Sequence, residues 1–263
     1  MTGAMEEKVI GILGGMGPEA TVSLFRRIVE VTGATRDQDH IRIIIDNNPK
    51  IPDRTPAILG GGESPVPLMV STARNLEHAG ADFIVIPCVS AHHFIDSLQE
   101  AISIPILSIV DAVIAELGRN SPTLDTVGLL ATSGTITGGH FQRGLEEAGY
   151  VVKVPVSSDQ EKLVMEAIYG DRGIKAGFLS AENRSKLMEA SRRLMEMGAQ
   201  GIIGGCTEVP LVLNQEDLSV PFFDSLLILA RESVKEATEG GLLTGKEGGE
   251  TRRKQTIERK GVM

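Results

Sequence analysis

The sequence has few cysteines and few aromatic residues. Its 263 residues include two cysteines, seven phenylalanines, two tyrosines and no tryptophan. We interpret the two cysteines as core residues or reactive groups rather than as a structural disulfide, because thiols are kept reduced in the cytoplasm. No apolar run approaches the roughly 20 residues that span a membrane, and residues 1–8 lack the charged-then-apolar order of a signal peptide. We therefore expect a cytoplasmic protein without a membrane partner, in which both thiols stay reduced.

Positive charge is also scarce, because 26 lysines and arginines stand against 35 aspartates and glutamates, for a net charge of −9. A nucleic-acid surface usually needs a clustered basic face, so we expect no nucleic-acid partner. A small molecule is the expected partner instead. The hydrophobic fraction of 41% is ample for packed cores, and 30 glycines suit a fold with many tight turns between strands and helices.

The two cysteines, Cys88 and Cys206, each stand at the end of the same sequence pattern. The first copy of the pattern consists of Arg74, Leu76, Gly80, Ala81, Ile84, Val85 and Cys88. Each of these residues, or a similar one, occurs again 118 positions later (88 to 206). In both copies a short apolar run leads into the cysteine, which predicts a buried strand with a thiol at its C-terminal end. Open α/β sheets bind ligands at that end, so both thiols are candidate site residues.

Two further pairs of similar segments have nearly the same spacing along the chain. Gly11 and Gly128 each lie in an apolar strand that leads into a turn, and Pro105 and Pro221 each follow a serine and an aliphatic residue. Internal duplication and alternating strands and helices together predict an α/β fold of two similar doubly wound parallel-sheet domains. The two domains would be related by internal pseudo-symmetry, with the active site in the cleft between them.

The spacing of these repeated segments also predicts where the domains begin and end. We expect a first domain at residues 1–117, completed by a returning segment at 222–238, and a second domain at 118–221. Residues 239–263 combine many charges with little apolar periodicity, so we expect a disordered tail there. Periodicity predicts helices at 66–78, 94–101, 110–117, 139–148, 159–169, 181–197 and 225–237, and strands at 41–45, 106–109 and 151–154.

Thiols at matching strand ends of two facing domains would suit a symmetric proton transfer. If one sulfur is a thiolate and the other a thiol, the first can remove a proton from a carbon atom while the second delivers one to the opposite face. The result is inversion of that carbon. A free thiol has a pKa of about 8.5, so backbone N–H groups, helix N-termini or a cation must tune it. Buried cysteines also occur simply as core packing, and that alternative stays open.

Six motifs stand in a fixed order along the chain: Gly11–Pro18, Asn47–Thr55, Pro87-Cys88 with Ala91-His92, Gly128–Thr135, Lys175–Gly177 and Gly205–Glu208. In these motifs the sequence resembles the aspartate/glutamate racemase family, and within it the aspartate racemase branch, over roughly residues 9–238. The resemblance implies a homodimeric racemase that needs neither pyridoxal phosphate nor a metal. Its substrate would be a small acidic amino acid, aspartate first and glutamate second.

The resemblance also implies roles for individual residues. Cys88 and Cys206 would be the two acid/base groups, Cys88 for the D enantiomer and Cys206 for the L enantiomer. Preorganised donors would hold the substrate carboxylate as charge develops on it, and cations would bind its side chain. The substrate-binding candidates are the backbone at Met16 and Val89, the hydroxyls of Ser90, Thr135 and Thr207, and the cations of Arg54 and Lys175.

One departure from the family pattern lies beside the first cysteine. The family usually has Asn-Thr there, whereas this chain has Val89-Ser90 and so lacks an amide side chain. Two alternatives therefore remain: another two-cysteine member of the superfamily, such as a maleate isomerase or hydantoin racemase, or a non-catalytic dicarboxylate-binding protein. His92 is interpreted as structural rather than as a metal ligand. For Glu208 the sequence does not separate an orienting role from a helix cap.

Overall fold

The computed structural model of the chain describes residues 7–121 and 123–239. Within these ranges the chain forms two compact units: residues up to Ile109 together with those from Leu226 onward, and residues Val110–Ser225. The domain limits predicted from the sequence, 117/118 and 221/222, lie eight and four residues from these. Apart from Glu239, which ends the last helix, the predicted tail lies outside the described residues.

Within its described residues, the first unit contains four parallel strands: β1 (Ile10–Gly14), β2 (Ile43–Asn47), β3 (Phe83–Val85) and β4 (Ile106–Leu107). Their order in the sheet is β2-β1-β3-β4. The α-helices between them are α1 (Pro18–Thr32), α2 (Arg54–Ile58), α3 (Val66–His78) and α4 (Ile95–Gln99), and 3₁₀ turns occur at Asp37–Asp39 and Val89–Phe94. The strands β1 and β3 are buried along their whole length, as expected for the centre of a sheet covered on both faces.

The second unit, as far as it is described, repeats this arrangement. Its parallel strands are β5 (Thr126–Leu130), β6 (Val151–Lys153), β7 (Ile202–Gly204) and β8 (Phe222–Asp224), in the order β6-β5-β7-β8. The helices are α5 (Ile109–Asn120), α6 (Ser133–Gly138), α7 (His140–Glu147), α8 (Ser157–Asp159), a π-helical segment (Gln160–Met165), α9 (Glu166–Tyr169) and α10 (Ala181–Glu196). Short 3₁₀ turns lie at Ile174–Ala176, Val209–Leu211 and Gln215–Asp217. The helix α11 (Ser225–Glu239) follows β8 and belongs to the first unit from Leu226 onward. The predicted fold class, two similar parallel α/β units, is confirmed.

The repetition of Gly11 at Gly128 has a packing reason in each sheet. Gly11 on β1 pairs with Ile84 on β3, and Gly128 on β5 pairs with Ile202 on β7. A Cβ atom at Gly11 would lie 2.9 Å from the Cβ atom of Ala81 and 3.4 Å from Ile84 Cγ1, and one at Gly128 would lie 2.7 Å from Ile202 Cδ1. A Cβ atom at either position would therefore require a neighbour to shift, Ala81 beside Gly11 and the end of the Ile202 side chain beside Gly128.

Several predicted elements differ from those observed. The strand predicted at 41–45 runs instead from Ile43 to Asn47, because its last two residues pair with Leu13 and Gly14. The helix predicted at 139–148 begins one residue later, since Gly139 has a left-handed backbone (φ 67°) and separates α6 from α7. No helix within the two described ranges combines the length and the apolar character needed to cross a membrane.

Candidate active site

The first thiol lies just beyond the buried strand β3. Cys88 is 4% exposed, and its backbone N–H donates to the carbonyl of Ile86 at 2.7 Å, which turns the chain sharply after the strand. The 3₁₀ turn that follows brings the hydroxyl of Ser90 to 3.4 Å from Cys88 Sγ. Val89, between them, is buried with 4% exposure. The structure thus brings together three predicted site residues at the end of one strand.

His92 fixes the turn that carries Cys88. Its Nδ1 lies 3.0 Å from the carbonyl oxygen of Cys88, and its Nε2 accepts from the backbone N–H of Ile109 at 3.1 Å. Because Nε2 accepts a hydrogen bond, the proton of a neutral ring lies on Nδ1 and is donated to the Cys88 carbonyl. The geometry supports the structural interpretation of His92. Within the described parts of the chain, no three His, Cys, Asp or Glu side chains are grouped as metal ligands.

Arg54 joins two loops of the first unit. It is 5% exposed, and its Nη2 donates to the carbonyl of Met16 at 2.8 Å, while Nη1 donates to that of Pro52 at 2.9 Å. The carboxylate of Asp53 caps the start of α2 by accepting from the N–H of Thr55 at 3.0 Å, which orients the arginine. Arg54 is therefore a buried side chain in contact with another predicted site residue, not a solvated loop arginine.

The second thiol lies just beyond β7, at the position equivalent to the first. Cys206 is 6% exposed and donates its S–H to Oε2 of Glu208 at 2.9 Å. The other carboxylate oxygen, Oε1, accepts from Lys175 Nζ at 2.7 Å, and the hydroxyl of Thr207 lies 3.3 Å from Oε2. A single carboxylate thus connects three predicted site residues. Glu208 itself was left open by the sequence, and these contacts assign it an orienting role.

The electrostatics of this group follow from burial and from the lysine. Burial raises the pKa of the Cys206 thiol well above its ordinary value, and the nearby Glu208 carboxylate raises it further, against a smaller opposing effect of Lys175. Burial also acts to raise the pKa of Glu208. The Lys175 ammonium and the hydrogen bonds from Cys206 and Lys175 outweigh it, so that pKa lies below its ordinary value. The group therefore holds a charged carboxylate beside a protonated thiol at neutral pH.

Lys175 is held in place by its loop. It lies in the 3₁₀ turn Ile174–Ala176, and its Nζ is 5.4 Å from the centre of the Tyr169 ring. The side-chain amide of Asn183, at the start of α10, donates to the carbonyl of Arg172 at 2.8 Å and to that of Phe178 at 2.9 Å. These two bonds clamp both ends of the loop. Lys175 is thus an oriented side chain with 19% exposure rather than a flexible surface lysine.

Thr135 lies elsewhere in the second unit, in the turn after β5. Its backbone N–H donates to the Thr132 hydroxyl at 3.3 Å, and the two hydroxyls are 3.2 Å apart. Thr132 is the N-cap of α6, so Thr135 sits in the first turn of that helix with 7% exposure. The structure places it at the end of the strand next to β7, outside the hydrogen-bonded chain of Lys175, Glu208 and Cys206.

The fold and these two sites define a class: a duplicated parallel α/β protein with one buried thiol beyond the third strand of each half. A model of the Asp/Glu/Hydantoin racemase family matches residues 13–233, and the chain belongs to this family. The family resemblance described above is confirmed. Family membership and the relatives below indicate an amino-acid racemase.

Three relatives illustrate the similarity. The chain is 28% identical over 245 residues to the broad specificity amino-acid racemase RacX of Bacillus subtilis (strain 168), covering 86% of this chain and 96% of RacX. An aspartate racemase homologue from Pyrococcus horikoshii OT3 is 30% identical with a TM-score of 0.71, over 88% of this chain and 100% of that one. The Picrophilus torridus aspartate racemase is 25% identical with a TM-score of 0.73, over 92% and 99%.

Proposed function

We propose that the protein interconverts the L and D enantiomers of an acidic amino acid, aspartate first and glutamate second, without a cofactor. The observation that carries the proposal is the pair of buried thiols, Cys88 and Cys206, at equivalent ends of β3 and β7. Each thiol serves one face of the α carbon, Cys88 for the D enantiomer and Cys206 for the L enantiomer. The thiolate removes the α-proton and becomes S–H, while the other S–H gives its proton to the opposite face and becomes a thiolate.

The α-proton of an amino acid is weakly acidic, so the carboxylate must be stabilised as the carbanion forms. We assign this role to backbone N–H groups at Met16 and Val89 and to the hydroxyls of Ser90, Thr135 and Thr207. The contact of Ser90 with one thiol and the position of Thr207 beside the other support this assignment.

The cations Arg54 and Lys175 are proposed to bind the side-chain carboxylate of the substrate. Both are oriented by neighbours in their own units, which lowers the entropic cost of binding an anion. An ammonium carries three N–H donors, so Lys175 can bind Glu208 and a substrate carboxylate together. The aspartate racemase relatives support aspartate as first choice, whereas the broad specificity of RacX calls for a wide panel.

The test uses a panel of acidic, neutral and basic amino acids as substrates. For each one, racemisation is measured as loss of optical rotation, and exchange of the α-proton is measured in heavy water. We expect aspartate to be racemised with the highest kcat/KM and glutamate to follow. Purified, folded protein that exchanges the α-proton of no amino acid would contradict the proposal.

Lys175→Met is expected to lower kcat/KM for aspartate roughly 10- to 100-fold, since a hydrogen bond between charged groups is lost. The best neutral substrate of the panel shares only the part of the loss that comes from releasing Glu208 from its ion pair, so its loss should be smaller. Lys186→Met is the matched control, since Lys186 forms an ion pair with Glu182 at 3.0 Å in the same unit. Equal losses for acidic and neutral substrates would contradict the assignment of Lys175 to the side chain.

Val89 supports a second candidate, a family member acting on a different substrate. This apolar side chain is buried directly beside Cys88, where an amide is expected for amino-acid binding. The family includes hydantoin racemases, whose substrates also have an acidic carbon. Adding a 5-substituted hydantoin and maleate to the substrate panel distinguishes these activities from amino-acid racemisation. A non-catalytic binding protein would instead bind a dicarboxylate even after both cysteines are replaced.

We also propose that the protein is a homodimer. Three large apolar side chains, Val22, Phe25 and Val29, are exposed at 51%, 42% and 36% on α1. Their spacing places them on one face of the helix, where a second copy of the chain can cover them.

Phe25→Glu is expected to weaken the dimer at least about tenfold, because it buries a charge in each half of a symmetric interface. Sedimentation velocity over a range of protein concentrations measures the change. Leu59→Glu, at a side chain of 51% exposure next to α2, is the control and should leave the dimer intact. A parental protein that sediments as a monomer throughout would contradict the proposal.

A further inference from the structure

The two thiols have different neighbours at equivalent positions. The residue two places after each cysteine is Ser90 in the first unit and Glu208 in the second, 118 positions apart (90 to 208). Cys88 Sγ lies 3.4 Å from the neutral hydroxyl of Ser90, whereas Cys206 Sγ donates to a carboxylate oxygen of Glu208 at 2.9 Å. The duplication therefore preserves the thiols but not the groups that control their protons.

The carboxylate beside Cys206 is buried and anchored. Glu208 is 4% exposed, and its Oε1 is fixed by Lys175 Nζ at 2.7 Å, which leaves Oε2 directed at the sulfur. Among the described residues of its unit, the titratable and charged groups that act on Cys206 are Glu208 and Lys175, and Tyr169 packs against the lysine. A hydrogen bond from a thiol to a charged acceptor favours the S–H form, because ionisation would place two negative charges side by side.

We propose that Glu208 is a positioning residue that keeps the proton on Cys206, so that in the resting site Cys206 is the proton donor. Serine cannot impose the same constraint on Cys88, because a hydroxyl can donate to a thiolate as readily as it accepts from a thiol. The resting site is therefore asymmetric, because a carboxylate faces the sulfur of Cys206 and a neutral hydroxyl faces that of Cys88. The catalytic consequence rests on the racemase function proposed above, whereas the effect of Glu208 on the thiol does not.

Direct titration of the Cys206 thiol tests the inference without any substrate. In a Cys88→Ser background, the ultraviolet absorbance of the thiolate is followed against pH with and without Glu208→Gln. We expect the amide variant to ionise at lower pH, with about tenfold more thiolate near neutral pH, which corresponds to one pH unit. Glu196→Gln, at an exposed glutamate paired with Arg192, is the matched control and should not shift the titration. An unchanged titration in Glu208→Gln would overturn the inference.

A second variant covers the case in which the amide variant folds poorly. Glu208→Asp keeps the charge but withdraws it by one methylene, so its titration should fall between those of the parent and the amide variant. A titration identical to that of the parent would again overturn the inference.

The pH profile of kcat/KM supplies the catalytic readout. In Glu208→Gln with both cysteines present, its basic limb should move to lower pH, because the proton donor is lost earlier. An unmoved basic limb would contradict the catalytic part of the inference. Failure of the proposed function has a different signature, since the parental protein itself would then exchange no α-proton, whatever the titration of Cys206 shows.

Discussion

Cys206→Ser is expected to lower kcat/KM for racemisation at least about 10³-fold, and Cys88→Ser should have an effect of similar size. A positioned acid or base contributes typically 10²- to 10⁴-fold, and a serine hydroxyl ionises far less readily than a thiol. Each turnover needs one thiol to remove the proton and the other to return it. Loss of either thiol therefore stops inversion in both directions.

The two serine variants can be told apart by isotope exchange. Cys206→Ser keeps the Cys88 side intact, so it should still exchange the α-proton of the D enantiomer in heavy water while producing little L. Cys88→Ser should show the opposite preference. In any variant that still racemises, kcat/KM must be equal in the two directions, because the enantiomers have the same free energy, and this equality checks the data.

The control for these variants is a measurement showing that each of them still folds. Both thiols lie in apolar cores, so each replacement should be compared with the parent by thermal unfolding and circular dichroism before activity is interpreted. A folded Cys206→Ser protein that racemises aspartate within a few-fold of the parental rate would contradict the two-base mechanism.

Most of the fold could be predicted from the sequence, because the duplication repeats glycines and cysteines whose positions have local packing reasons. The pairing of Gly11 with Ile84, and of Gly128 with Ile202, depends on positions within strands whose apolar pattern is visible in the sequence. The helix expected at 66–78 is found at those residues for the same reason, since its apolar face repeats along the segment.

The contacts of the candidate site could not be predicted in the same way. Lys175 and Glu208 are 33 residues apart, and their pairing depends on a loop that Asn183 clamps from α10. Arg54 reaches Met16 across 38 residues through a backbone carbonyl, a partner that leaves no trace in side-chain identity. Spacing along the chain indicates residue types for the chemistry, but tertiary contacts decide which charges neutralise one another.

Gly15→Ala is expected to be the most destabilising single substitution in the turn between β1 and α1. Gly15 has φ 94°, a conformation that costs an L-residue about 1–2 kcal/mol. A Cβ atom there would also lie 2.4 Å from the carbonyl carbon of Asn48, which is backbone and cannot rotate away. Asn48 is itself fixed, because its N–H donates to the carbonyl of Gly14 and its carbonyl accepts from the N–H of Ile51. We therefore expect a total loss of roughly 3 kcal/mol or more in the free energy of unfolding.

Gly80→Ala separates the two causes, because it has the strain without the clash. Gly80 has φ 91°, close to that of Gly15, but among the described residues nothing beyond its two chain neighbours lies within 4 Å of the place that a Cβ atom would occupy. Thermal and denaturant unfolding should show a loss of only about 1–2 kcal/mol for this variant. Gly15→Ala should in addition lose activity below its unfolding temperature, since the next residue, Met16, supplies the carbonyl that holds Arg54. Equal destabilisation of the two variants would mean that the backbone at Asn48 can shift to make room for the added Cβ atom. The turn would then hold Arg54 less firmly than its hydrogen bonds imply.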